Sequence, residues 1–306
     1  MEISKLDRFR GCLLGLACGD ALGTTVEFRR RGTFPRLTDM TGGGPFGLLP
    51  GEWTDDTSMA LCLGHSLVHC RGFDPVDQMN RYCNWYNFGY MSSNGECFDI
   101  GNTVAGALRR YLADKQPFAG STSPDSAGNG ALMRLAPIAM CYANHREILP
   151  HMAAESTRTT HAAPEALDCS RLFALQLAAA LHGADKGAIR TVEPAVQLSA
   201  KVQDIASGTY LDKGEESIFG TGYAVVSLEA ALWCFHTTDS FQAAILKAAN
   251  LGDDADTTAA ICGQLAGAHY GIRGIPEAWL NKLVMRDEIA ALADALLMLA
   301  DENLAA

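Results

Sequence analysis

A 306-residue chain with 48% hydrophobic and 19% charged side chains, and a mean hydropathy of +0.03, has the make-up of a packed protein and excludes a largely disordered one. Its formal charge of -11 and pI near 5.1 exclude an extended nucleic-acid surface, because binding phosphates needs clustered Lys and Arg, and Arg29-Arg30-Arg31 is only a local basic spot. No apolar run reaches the roughly 18 to 20 residues that span a bilayer.

The first fourteen residues lack the basic segment, apolar run and cleavage site of a signal peptide, so a reducing, cytoplasmic setting is expected. Ten cysteines do not alter this expectation. Cys12, Cys62, Cys83, Cys141, Cys169, Cys234 and Cys262 sit in apolar helical patterns and no C-x-x-C pair occurs, which favours core packing over zinc or dithiol chemistry.

Apolar residues recur at helical spacing from the start: Leu6, Phe9, Leu13 and Leu16. Glu27 follows this first helix within the stretch Gly19 to Phe28, and taken alone it reads as a surface loop residue. Breakers at Thr41 to Pro45 and Leu49 to Gly51 then lead to Trp53-Thr54-Asp55-Asp56-Thr57, which opens a helix carrying Met59, Leu63, Leu67 and Cys70. A helix with Val76, Met79, Cys83 and Tyr86 precedes Phe98-Asp99-Ile100-Gly101-Asn102-Thr103, where Asp99 or Asn102 could cap the next helix, through Val104, Leu108 and Tyr111.

The glycine-rich segment Ala127-Gly128-Asn129-Gly130-Ala131 feeds a predicted helix over Leu132 to Tyr142. Its backbone N–H groups could hold a phosphate, although it has neither Walker spacing nor a preceding strand. His161 is a site candidate or a cap for the helix near Pro164. Further helices are predicted over Ala166 to Leu181, Ala224 to Phe235, Phe241 to Ala249, Thr258 to Tyr270 and Ile289 to Leu299, with loops at Gly120 to Gly130 and Gly208 to Gly222. The pattern predicts an all-α fold of about a dozen helices in a single compact domain spanning 1–306, with little or no sheet.

Two acid-rich helix starts stand out: the one at Asp55 and Asp56, and Gly252-Asp253-Asp254-Ala255-Asp256-Thr257-Thr258. One carboxylate suffices to cap a helix, so capping leaves the rest unexplained. Five carboxylates beside apolar helices repel one another unless cations neutralise them. Oxygen-only ligands suit Mg²⁺ or Mn²⁺, and two such loops facing each other could hold a pair of ions able to activate water.

These segments, together with Arg8 to Ala17, Gly19-Asp20-Ala21-Leu22-Gly23, Met40 to Gly44 and Thr160-His161, resemble the ADP-ribosylglycohydrolase family nearly end to end. The resemblance implies an all-α fold with a binuclear Mn²⁺ or Mg²⁺ cleft, and Thr54, Asp55, Asp56, Asp254, Asp256 and Thr257 as metal ligands. It further implies Asp99, Glu27 and Asp56 as catalytic residues. Asn102, Gly128, Asn129, Gly130, His161 and Tyr223 would then contact ADP-ribose, with Tyr223 stacking on adenine.

The activity implied is removal of ADP-ribose from an arginine of a modified protein. The same resemblance implies nitrogenase iron protein (dinitrogenase reductase) as the target and a P-II signalling protein as a partner that brings the enzyme to the membrane periphery. Alternatives are the same fold acting on serine-linked or free ADP-ribose derivatives, a paired-metal phosphoester hydrolase, and a non-catalytic ADP-ribose-binding protein. Two positions depart from the family pattern: Asp253 stands where relatives usually have glycine, and Ser126 where close relatives carry an acid.

Overall fold

The computed structural model describes residues 3–305. Fourteen α-helices follow in order among these residues: α1 (Lys5–Gly23), α2 (Asp55–Cys70), α3 (Pro75–Phe88), α4 (Asn102–Asp114), α5 (Ala136–Cys141), α6 (Leu149–Arg158), α7 (Pro164–Leu181), α8 (Lys186–Arg190), α9 (Ala200–Ala206), α10 (Ala224–His236), α11 (Phe241–Ala249), α12 (Ala255–Tyr270), α13 (Glu277–Leu280) and α14 (Arg286–Ala305). Extended pairing among the described residues is confined to four isolated bridges between loops, so the fold is all-α as the periodicity indicates. The seven cysteines read as core residues are buried and unpaired.

Helix α1 begins at a capping box, in which Ser4 and Asp7 each bond the other's backbone N–H. It is enclosed on every side from Gly11 to Gly23, as expected of a helix apolar all round. Gly11, Gly15, Gly19 and Gly23 recur every four residues and so form one ridge, which lies directly on the backbone of α12. A Cβ added at Gly15 would sit 2.4 Å from the Gly263 carbonyl oxygen, and one at Gly19 only 2.1 Å from that of Ala259. Side chains larger than hydrogen on this ridge would hold the helices apart. Helices α2, α5, α7, α11 and α14 complete the packing around this central pair.

Three helix starts differ from the sequence reading by three residues or more. The predicted helix from Leu132 starts only at Ala136, because the chain turns through residues 130–134 and Pro137 suits a first helical turn better than an interior. Helix α12 starts at Ala255 rather than Thr258, which puts Asp256 inside its first turn. Helix α14 starts at Arg286 rather than Ile289. Among the described residues no helix is long and apolar enough to cross a membrane.

Candidate functional site

A cleft of about 1090 Å³ opens where α2, α4 and α12 begin, bounded by the loops around Glu27, Gly128 to Gly130, His161 and Thr221-Gly222. At its base the two acid-rich helix starts meet, although about two hundred residues separate them. Thr54 Oγ1 lies 3.3 Å from Asp256 Oδ2, and Thr257 Oγ1 donates to Asp56 Oδ1 at 3.2 Å. Asp55, Asp254, Asp256 and Thr257 line the cleft with Glu27 and Asp99, while Thr54 and Asp56 lie fully buried beneath it.

Capping does not explain these acids. Thr54 and Asp254 occupy the N-cap positions of α2 and α12, yet neither makes a side-chain capping bond. The start of α2 is satisfied instead by Asp20, from the last turn of α1. Its carboxylate accepts from the Thr54 N–H and Oγ1, both at 2.9 Å, and from the Thr57 N–H at 3.0 Å and Oγ1 at 2.6 Å. Asp20 is the functional residue that sequence reasoning missed: it frees the α2 acids from capping and fixes their direction. Likewise, α4 is preceded by Gly101 with no side-chain cap, so Asp99 and Asn102 are not capping residues; both line the cleft.

The loops that carry the acids brace one another. Phe28 N–H donates to the Asp253 carbonyl at 2.7 Å, and Asp253 N–H donates to the Arg29 carbonyl at 2.8 Å. Phe28, Asp99 and Asp253 all have positive φ (61°, 60° and 55°), a conformation non-glycine residues adopt only when their surroundings enforce it. The Asp253 departure is therefore accommodated at the cleft wall, with its backbone holding the Glu27 loop.

Concentrated negative charge in a buried site raises proton affinity. Burial, followed by repulsion from Asp99 and Asp254, pushes Glu27 up to about 10, and burial then Asp20 pushes Asp99 to about 7. Burial also lifts Asp20 to about 6 and holds Asp55, Asp56 and Asp256 well above the usual carboxylate range. Glu27, Asp99 and Asp256 each offer a carboxylate oxygen, all within 4.8 Å of one another. Asp56 Oδ2, Asp256 Oδ1 and Glu27 Oε2 are buried without a hydrogen-bond partner. Orphaned oxygens, carboxylate donors and mutual repulsion fit hard divalent cations bound through oxygen.

A pH dependence follows for chelator-treated protein. A carboxyl whose folded pKa exceeds its unfolded value stabilises fully below the unfolded value, and that contribution is lost as pH rises through the folded one. The buried neutral His161 acts in the opposite sense, but only below about 6.5, its unfolded value. Buried thiols begin to contribute only near their unfolded value of about 8.5. The window from about pH 6.5 to 8 thus belongs to the raised carboxyls of the cleft, Asp99 and Glu27 together with Asp55, Asp56 and Asp256, so thermal unfolding should show Tm falling across it. Added Mn²⁺ should flatten that slope.

Opposite the acids, Asn129 Nδ2 donates to Asp254 Oδ2 at 2.7 Å and His161 packs over two glycines. A Cβ at Gly130 would fall 2.9 Å from His161 Cε1, and one at Gly128 3.2 Å from its Nε2. Buried Arg134 donates to Thr160 Oγ1 at 2.6 Å and to the Gly130 carbonyl at 2.9 Å. Thr160 Oγ1 accepts from Arg134 and pairs with His161 Nδ1, 2.9 Å away, so the two side chains hold the imidazole in place. Burial and then Arg134 lower the His161 pKa to about 3, so the ring is neutral across the working pH range. Thr160→Val should leave Arg134 short of a partner and His161 free to rotate. We expect a loss of about 1–3 kcal/mol in denaturant unfolding.

Tyr223 lies outside this cleft. It lines an adjoining pocket of about 740 Å³ that shares Thr103, Gly128 and Gly222 with the main one. Its hydroxyl is bound to Glu165 and accepts from Lys201 Nζ at 2.8 Å. Ser126 lines the same second pocket, its hydroxyl donating to the Ser123 carbonyl at 2.6 Å.

A family model described as ADP-ribosylglycohydrolase matches residues 1–305. An ADP-ribosylarginine hydrolase, Tri1, of Serratia proteamaculans is 44% identical over 99% of this chain and 82% of its own. An ADP-ribosyl-[dinitrogen reductase] glycohydrolase of Rhodospirillum rubrum is 37% identical, over 96% of this chain and 97% of its own. A solved structure titled "ADP-ribosylglycohydrolase-related protein complex" superposes with a TM-score of 0.87 at 45% identity, covering 97% of this chain and 99% of that one.

Proposed function

Because this chain belongs to the ADP-ribosylglycohydrolase family and is a glycosidase-type hydrolase, we propose that it releases ADP-ribose from ADP-ribosylated arginine of a protein, using two Mn²⁺ or Mg²⁺ ions. The observation that carries this reading is the meeting of Asp56 and Asp256, each with an orphaned oxygen, beneath a cleft walled by Glu27, Asp99, Asn129 and His161. Thr54, Asp55, Asp56, Asp254, Asp256 and Thr257 would hold the cations. When bound, the cations would supply a polarised water and charge neutralisation at the sugar hydroxyls.

The chain's own groups account for the rest. Cleavage of the bond between the ribose anomeric carbon and a guanidinium nitrogen develops positive charge on the sugar, and the leaving nitrogen departs protonated. Asp99, on the cleft wall, would give the proton to that nitrogen, and Glu27 beside it acts as the second acidic group. Asn102, Gly128, Asn129, Gly130 and His161 orient ADP-ribose, the two glycines leaving room for the imidazole to pack on the loop. Tyr223, one pocket away, serves the adenine end through the shared wall.

Incubation with arginine-ADP-ribosylated and serine-ADP-ribosylated peptides, with Mn²⁺ and after chelation, tests the proposal. Metal-dependent release from the arginine peptide is expected; release only from the serine peptide would contradict it. A narrower reading, in which nitrogenase iron protein is the target, draws on the name of the Rhodospirillum rubrum relative, whereas a P-II protein as partner in the cytoplasm or at the membrane periphery rests on the sequence resemblance alone. Demodification of ADP-ribosylated nitrogenase iron protein at a rate matching the best peptide would support it.

A further inference from the structure

We propose that Phe28 and Phe46, backed by Phe98, form an aromatic wall that selects a cationic, planar leaving group, the guanidinium of the modified arginine, over a neutral one. This inference rests on the proposed cleavage of ADP-ribosyl linkages in the same cleft and specifies what reads the leaving group.

The wall is built beside the two acids placed nearest the leaving group. Phe28 directly follows Glu27, and Phe98 directly precedes Asp99. Phe28 and Phe46 line the cleft mouth, their ring centroids 6.4 Å apart and edge-on, and Phe46 lies 5.2 Å from Phe98. Phe46 rides on a short loop closed by paired bonds between Gly43 and Leu48, at 2.7 and 2.9 Å. That loop sits hard on the end of α1, since a Cβ at Gly44 would meet the Thr24 carbonyl oxygen at 2.1 Å.

Core packing does not account for Phe28. Phe28 is 67% exposed, so it contributes little to the core, yet its backbone is held at positive φ by the Asp253 carbonyl. Strain maintained around an exposed apolar ring points to a ligand for that ring. Six carboxylates line the cleft and, among the described residues, no lysine or arginine does, so no cationic side chain of the lining competes for the ring faces. An aromatic face attracts a guanidinium and stacks on its plane, and serine offers neither charge nor plane. A guanidinium on this wall would have Glu27 and Asp99 on its inner side, where the bond to ribose breaks.

The test uses Phe28→Leu, Phe46→Leu and Phe46→Trp in the full chain with Mn²⁺. KM and kcat would be measured on the arginine-linked peptide, with free ADP-ribose, acetyl-arginine amide and its uncharged isostere acetyl-citrulline amide as competitors. We expect each leucine variant to raise KM for the arginine-linked peptide about 2–5-fold, with kcat little changed. Phe46→Trp should retain the wild-type KM. The preference for the arginine over the citrulline competitor should shrink in the leucine variants, and inhibition by ADP-ribose should not move. Unchanged KM, or loss of ADP-ribose inhibition in parallel with KM, would overturn the wall's assignment while leaving the arginine reading intact. Wild-type protein that releases nothing from the arginine peptide would overturn the arginine reading itself, and this assignment with it.

Discussion

Asp56→Asn and Asp256→Asn are each expected to lower kcat/KM for ADP-ribose release by on the order of 10³-fold or more, while making the metal-free protein more resistant to heat. Each side chain keeps its volume and loses one charge from a cluster with no cation of its own. The amide also gives the orphaned oxygens nearby a donor. In the wild type, divalent cation at about a hundred times its Kd would add about 2.7 kcal/mol, a rise in Tm of roughly 4 °C. In the variants that rise should be small. Thermal unfolding with chelator and with Mn²⁺, run beside the activity assay, would reveal the opposite signs. A variant equally active, or one destabilised without metal, would mean that these carboxylates are structural rather than cation ligands.

Gly19→Ala is the second large effect, and here the sign rests on competing magnitudes. Replacing glycine in a helix ordinarily favours folding by up to about 1 kcal/mol. The new methyl at position 19 would stand 2.1 Å from a carbonyl oxygen of α12, which is backbone and cannot swing aside. Forcing the two helices apart should outweigh the propensity gain and leave a net loss of about 1–3 kcal/mol. Activity should fall further than stability, because Asp20 is the next residue and its carboxylate fixes the start of α2. Gly106→Ala in α4 is the control: its Cβ would meet only the far end of Arg110, at 3.3 Å, and that variant should be slightly stabilised. Denaturant unfolding of both variants separates the clash from propensity.

Much of this fold was legible in the sequence because helical burial leaves a repeating apolar mark. The stretch from Phe241 to Ala249 coincides with α11, and the acid-rich starts at Asp55 and Asp254 mark α2 and α12. What stayed hidden had no period to betray it. Asp20 and Arg134 are single charges inside apolar surroundings, and their roles depend on partners 34 and 26 residues away. A carboxylate in the last turn of an otherwise apolar stretch, between two glycines of a four-residue repeat, was the available signal for Asp20. Phe28, Phe46 and Phe98 come from three separate loops, so their adjacency exists only in space. Residues 131–135 look helical by composition and turn instead, because Arg134 reaches back to the Gly130 carbonyl to support His161.

The contact between α1 and α12 also bears on how the molecule comes into being. During synthesis the first helix emerges early, greasy on all sides, and the surface made to cover it is translated some 240 residues later. Until then the nascent chain has an unsatisfied apolar rod that invites chaperones or self-association. Closing so distant a contact is entropically slow. The acidic residues meet at the same late step, so the ribosome-bound intermediate is inert, and hydrolytic competence arrives together with the completed core.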